Sequence, residues 1–187
     1  EESCLIPGIN SPACDIDTFP PHIGGGSVGA VYVWVRNGNN WTEQSFIKAS
    51  NPDIEDVFGY RVALSNDGST LLVAAPNEDS KAKGIDGSQM DNSVLESGAG
   101  YLFTRTGATW AQKAYIKASN TRSGDLFSSA VAVSGDGKLL VLGAPVEASG
   151  AKGVNANISG RSPRHLSARS RLLEEALAGH RIPDVLA

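Results

Sequence analysis

The sequence predicts an all-β fold made of a duplicated unit of short strands. The first observation is internal repetition. Sliding the chain by 69 residues aligns 29–88 with 98–157 without a gap, and 26 of the 60 pairs are identical. Identity several-fold above chance at a fixed offset marks a duplication. The second is composition: 21 Gly and only 19% charged residues, with many Val, Ala and Ser, suit strands joined by tight turns. The third is local patterning, in which alternating or continuous apolar runs are bounded by Asn-Gly and Asp-Gly turn signals.

The elements follow in order. "GIN" at 8–10 resembles "GID" at 84–86 and "GVN" at 153–155, so 1–28 reads as the end of a preceding unit plus a loop. Repeat 1 spans 29–97. Its first strand, Ala30–Arg36, alternates with period two and stops at Asn37-Gly38. The second runs from about Trp41 to Ala49. The third, Tyr60–Leu64, ends at Ser65-Asn66-Asp67-Gly68, and the fourth, Thr70–Ala75, is an apolar run stopped by Pro76. Repeat 2, 98–157, repeats the pattern and is incomplete. Four strands per unit of this size predict β-propeller blades, about two in this chain. The small residues Ala74-Ala75-Pro76 and Gly143-Ala144-Pro145 fit strands crowded near a propeller axis. The Arg-rich segment 158–187 leaves the pattern, and its helix-like run Ser167–Ala178 predicts a short helical or disordered tail, read either as a cap or as a non-native end.

Phe58-Gly59-Tyr60-Arg61-Val62-Ala63, followed by a turn and Leu71-Leu72-Val73-Ala74-Ala75-Pro76, resembles the FG-GAP repeat of integrin α-subunit propellers. Repeat 2 keeps Phe127 but has Ser128 in place of the glycine. "GAVYVW" and "IKASN" make the bacterial, integrin-like variety the nearest likeness, over roughly residues 8–157. The resemblance implies a propeller of seven blades, of which this chain is a fragment, on a secreted or cell-surface protein. It implies a binding or adhesion role toward a protein or carbohydrate ligand, and this rests on the resemblance alone, since fold by itself does not fix function.

Many members of that family bind calcium through a D-x-[DN]-x-D-G-x-x-D loop before the aliphatic strand. Here the expected acidic positions hold Val62, Leu64, Asn66 and Thr70, and in repeat 2 Val131, Val133, Gly135 and Leu139, so the usual calcium loop is absent. Asp67 and Asp136 read as turn residues. The acidic residues Glu78, Asp79, Asp86 and Asp91 of the loop 77–97 are the remaining metal candidates, with calcium the ion they would suit. No cofactor is otherwise expected.

No catalytic residue is expected either. His22, His165 and His180 lie outside the repeats, and no nucleophile–base pair or phosphate loop can be built within them. A sialidase-like propeller acting on glycans is the enzymatic alternative, but Ser65-Asn66-Asp67-Gly68 and Ser134-Gly135-Asp136-Gly137 match only the first half of its turn motif. A purely structural repeat scaffold is a further alternative. The net charge of −4 offers nothing to a phosphate backbone, so nucleic acid is not expected as a partner. No apolar run reaches the roughly 18–20 residues of a membrane span. Cys4 and Cys14 fit either a short-loop disulfide or two free thiols. Trp34, Trp41, Trp110, Tyr32 and Tyr101 recur at matching repeat positions and read as core, with sugar stacking the alternative. Lys48 and Lys117 read as solvated strand charges. Blades that do not close a ring leave apolar edges, so self-association is expected.

Overall fold

A computed structural model describes residues 28–154. The expectations for 1–27 and 155–187, including the Cys4/Cys14 pair, the three histidines and the tail helix, lie outside the described residues. Eight strands are present: β1 (Val31–Asn37), β2 (Asn40–Ile47), β3 (Val62–Leu64), β4 (Thr70–Ala75), β5 (Ala99–Thr106), β6 (Thr109–Ile116), β7 (Ala130–Val133) and β8 (Leu140–Gly143). All pairings between them are antiparallel.

The strands occur where the sequence places them, but the sheets divide them differently from the repeat. One four-stranded sheet has the order β3-β4-β5-β6, and β1-β2 and β7-β8 form separate two-stranded sheets. The complete sheet therefore takes the last two strands of repeat 1 and the first two of repeat 2. Repeat and sheet are out of phase by two strands. Asn37-Gly38 and Asp67-Gly68 close tight hairpins within each strand pair; the segment between β2 and β3 carries the chain to the next sheet, whereas the longer one between β4 and β5 brings it back to the same sheet.

The duplicated sequence builds duplicated detail. In β1–β2 the register shifts between Val33 and Trp34, and in β5–β6 between Leu102 and Phe103, 69 residues on. The extra residue lies on the second strand each time, Gln44 and Lys113, which leaves the alternation of the first strand intact. Gln44 uses the bulge to reach the next sheet, where its Oε1 accepts from Trp110 Nε1 at 3.2 Å and from Arg105 at 3.3 Å.

The core lies between β1–β2 and one face of the complete sheet. Leu71, Val73 and Ala75 of β4, Ala99, Tyr101 and Phe103 of β5, and Trp110 and Tyr115 of β6 pack with Ile47, Phe58, Val31 and Val33. Phe58 meets Tyr101 edge-on with centroids 5.2 Å apart, and Tyr101 meets Tyr115 at 5.3 Å. Such tilted aromatic pairs add about 0.5–1.5 kcal/mol beyond their area. On the opposite face of β4, Leu72 and Ala74 are also buried. Leu142 of β8 lies there over Gly100, whose absent side chain leaves the space: a Cβ would come within 2.4 Å of the leucine.

The aromatic residues divide. Tyr101 and Trp110 are core, as expected, but Tyr32, Trp34 and Trp41 are 52%, 53% and 62% exposed. Val31 and Val33 face the complete sheet, so Tyr32 and Trp34 point the other way. No described strand stands on that side. Their repeat equivalents Tyr101, Phe103 and Trp110 are covered because β1–β2 lies against them.

The phenylalanine of the repeat is held against a glycine in the same way in both copies. Gly29 and Gly98 have φ of 83° and 82°, and a Cβ on either would lie 2.0 or 2.1 Å from the carbonyl oxygen of Phe58 or Phe127. Gly59, beside Phe58, has φ of 93°, and its Cβ would stand 2.6 Å from the Ala30 oxygen. Ser128 keeps this left-handed conformation, with φ of 74°. Its hydroxyl donates to the equivalent oxygen, that of Ala99, at 2.6 Å. A hydrogen bond thus offsets the strain that glycine avoids. Gly98→Ala is expected to destabilise the chain by about 3 kcal/mol or more, combining backbone strain with overpacking. Gly107→Ala, at an open hairpin tip with φ of 63°, should cost only about 1 kcal/mol by the same conformational argument. Urea unfolding of the two variants measures the difference.

Candidate functional site

The long segment between β4 and β5 and the shorter one between β2 and β3 form a loop platform at one end of the sheets. Glu78, two residues past Pro76, anchors it from within at 1% exposure. Its Oε2 accepts from Lys117 Nζ at 2.6 Å and from the Ser80 amide at 3.1 Å. Its Oε1 accepts from the Tyr115 hydroxyl at 2.6 Å and from Asn51 Nδ2 at 3.2 Å. Four donors saturate the carboxylate, as a buried charge requires.

The partners extend inward and outward. Lys117 Nζ also donates to Ser97 Oγ at 2.7 Å, and the Tyr101 hydroxyl donates to Asn51 Oδ1 at 2.8 Å. Asn51 Nδ2 reaches the Gln89 carbonyl at 3.0 Å, and Ser50 and Asn92 bond to Gln89 and Asp53 across the same loops. Asn51 follows β2, whereas Tyr115 and Lys117 belong to the end of β6, so Glu78 joins two sheets. Repeat 2 retains the outer half of this arrangement, with Asn120 Nδ2 donating to Glu147 Oε1 at 2.8 Å.

Lys117 is therefore not a solvated strand charge. Its side chain is fully buried in an ion pair with Glu78, because "IKASN" turns inward at the strand end. Burial pulls its pKa down, and the Glu78 carboxylate opposes that shift. Lys48, its repeat equivalent, is half-buried with its pKa lowered by burial, and donates to the Gly29 carbonyl. Burial, reinforced by the Glu78 charge, raises the pKa of the Tyr115 and Tyr101 hydroxyls.

The four acidic metal candidates do not converge. Glu78 is held as above. Asp79 Oδ1 accepts from the Glu96 amide at 2.7 Å, and burial raises its pKa against that bond. Asp86 Oδ1 accepts from the Tyr115 amide at 2.9 Å. Asp91 pairs with Lys81 at 2.9 Å and accepts from the Ser93 hydroxyl, which with Lys81 lowers its pKa. Among the described residues no group of three or more His, Cys, Asp or Glu side chains is placed to hold a metal ion. Asp67 and Asp136 sit in turns, as expected: each accepts from the serine two residues earlier at 2.6 Å. The Ser65 hydroxyl is the main reason that the Asp67 pKa falls to about 2.

Asp56 is the acidic residue the sequence did not single out. It is 3% exposed, Oδ2 has no hydrogen-bond partner, and burial with the nearby Glu78 and Asp53 charges raises its pKa to about 7. Its identity with Asp125 in the second copy was the available signal, as it was for Glu78, Asn51 and Lys117.

The outward surface of the platform carries Ile54, Ile85, Met90 and Leu95, exposed by 47%, 68%, 89% and 61%. Elsewhere, a hollow of about 170 Å³ lies between Val57, Tyr60, Pro76, Asn77, Leu126 and Ser129. That is smaller than the roughly 300–1,000 Å³ of small-molecule pockets.

Residues 41–103 and 110–157 match the family model described as the FG-GAP repeat. The chain belongs to the FG-GAP repeat family. Its antiparallel sheets are the blades of a propeller-like repeat module, and the matched segments take in most of both copies of the repeated unit. Comparison with curated proteins and with solved structures finds no match.

Breaking the FG-GAP hub from one side leaves a buried charge. Lys117→Met is expected to cost about 3–5 kcal/mol by thermal or urea unfolding, while adding Glu78→Gln recovers much of the loss. Asp56 gives a pH signature of opposite sign to that of most carboxylates. Its folded pKa lies above its unfolded value, so the folded state binds the extra proton and stability falls as pH rises from about 4 to 7. Melting temperatures of Asp56→Asn should show a smaller decline over that window than the parent chain.

Proposed function

We propose that this FG-GAP module is a non-enzymatic binding or adhesion unit of a secreted or cell-surface protein. The carrying observation is the loop platform, in which exposed apolar side chains stand on loops tied down by a buried hub. Met90 and Ile85 project from a segment whose backbone is fixed by Glu78, Asp79, Ser80 and Asp86. A rigid scaffold that presents mobile-looking but anchored loops is a common way to build a recognition surface. Exposed apolar residues on such a surface favour a macromolecular ligand, with aliphatic and methionine contacts at the centre and Asp53, Glu55 and Glu96 at the rim.

The same hub supports a role without catalysis. Among the described residues the buried set Glu78, Lys117 and Tyr115 is sealed in the interior and mutually satisfied, where it holds structure. Ligands of either protein or carbohydrate chemistry fit the implied surface location.

Matrix-protein and glycan arrays probed with the whole chain test this reading. Binding to at least one class is expected, and Ile85→Asp with Met90→Asp should weaken it about tenfold or more, as for residues central to an interface, at unchanged melting temperature. Absence of binding, binding indifferent to the double substitution, or turnover of glycosides would overturn it.

A further inference from the structure

We infer that the outer edges of β1 and β8, which no described strand pairs, join two copies of this chain head to tail, so that β7-β8 of one copy and β1-β2 of the next complete a four-stranded blade. The occupant is identified by the molecule's own repetition. Strands β7 and β8 are the repeat equivalents of β3 and β4, and β1 and β2 those of β5 and β6. The complete sheet already shows how the two halves join, through the pairing of β4 with β5.

That pairing gives a definite register. Within the complete sheet Leu71 lies opposite Phe103, Leu72 opposite Leu102 and Val73 opposite Tyr101. Moved by one repeat, Leu140 comes opposite Trp34 of the second copy, Val141 opposite Val33 and Leu142 opposite Tyr32. The backbone is presented correctly as well. The Ala74 amide bonds to Arg61 on the β3 side and the Arg105 amide bonds to Ser69 on the β4 side, so Leu71, Val73, Tyr101 and Phe103 carry the bonds between β4 and β5. Their equivalents Leu140, Leu142, Tyr32 and Trp34 face the two open edges.

The faces agree with the edges. Leu142 already packs over Gly100 of the complete sheet. Tyr32 and Trp34 of an incoming copy would lie on that same face, continuing the row beyond Leu142 as Tyr101 and Phe103 continue it beyond Val73. The association would then cover Tyr32, Trp34, Leu139 and Val141, each more than half exposed in the single chain. The contact is heterologous, so it closes into a ring or runs on. The described strands of each copy amount to two blades, and propellers have about four to eight, so a ring built from these strands alone holds about two to four copies. This inference does not depend on the ligand-binding reading above.

Native mass spectrometry and light scattering of the whole chain, together with register-specific cross-linking, test it. Val33→Cys and Val141→Cys in a Cys4→Ser, Cys14→Ser background place the new thiols across a non-hydrogen-bonded pair, about 4.5 Å between Cα atoms, within disulfide reach. Closed oligomers and covalent links between copies are expected, with about tenfold less linking for Val35→Cys and Val141→Cys, a diagonal pair two residues off register. Trp34→Pro, which removes an outward-facing amide from an exposed position, should yield monomers with unchanged far-ultraviolet dichroism. A monodisperse monomer at micromolar concentration would assign the edges to other parts of the same chain and overturn the inference. Equal linking in and out of register, which marks unspecific aggregation, would overturn it too.

Discussion

Saturation of one buried carboxylate organises this module. A carboxylate as buried as that of Glu78 requires several donors, and they come from separate places: Asn51 after β2, Ser80 in its own loop, Tyr115 and Lys117 at the end of β6. Meeting that demand fixes where the chain leaves one sheet and enters the next. It also turns a segment of more than twenty residues into a structured platform, because Ser97 and Tyr101 are drawn into the same network. Exchange of the whole set for apolar residues of similar volume need not lose stability. What the network adds is one allowed arrangement of three loops.

The glycine–phenylalanine contact is the second constraint and acts on the scale of the backbone. Gly98 admits Phe127 and Gly29 admits Phe58 at distances no side chain would allow, which locks each sheet to the loop of the following one. Ser128 shows that the neighbouring position demands a conformation and not a residue type. A serine meets the demand by bonding the oxygen that a glycine merely avoids.

Much of the fold was legible in the sequence because its signals are local. Thr70–Ala75 is a strand with the bounds its apolar run and proline imply, and the hairpins turn at Asn37-Gly38 and Asp67-Gly68. Assignment of strands to sheets was less legible, since a repeat boundary placed by identity has no reason to coincide with a sheet boundary. Tyr32 and Trp34 share their pattern with buried equivalents, and only the presence or absence of a neighbour on one side separates them. Lys117 looked solvated because charge is a local property, whereas its burial depends on a glutamate 39 residues away. Asp56 was passed over for the same reason.

The two-strand offset between repeat and sheet bears on how such an array grows. A gene segment encoding one unit, copied in tandem, contributes two strands that finish an existing blade and two that begin another. Every new boundary is then sewn by hydrogen bonds between the old and new copies, as β4 and β5 are sewn here. Duplication lengthens the array without creating an interior seam, and neighbouring copies are obliged to remain compatible in sequence. The 26 identities that the two units retain fall largely on the turns, the strand ends and the hub residues where such compatibility is needed.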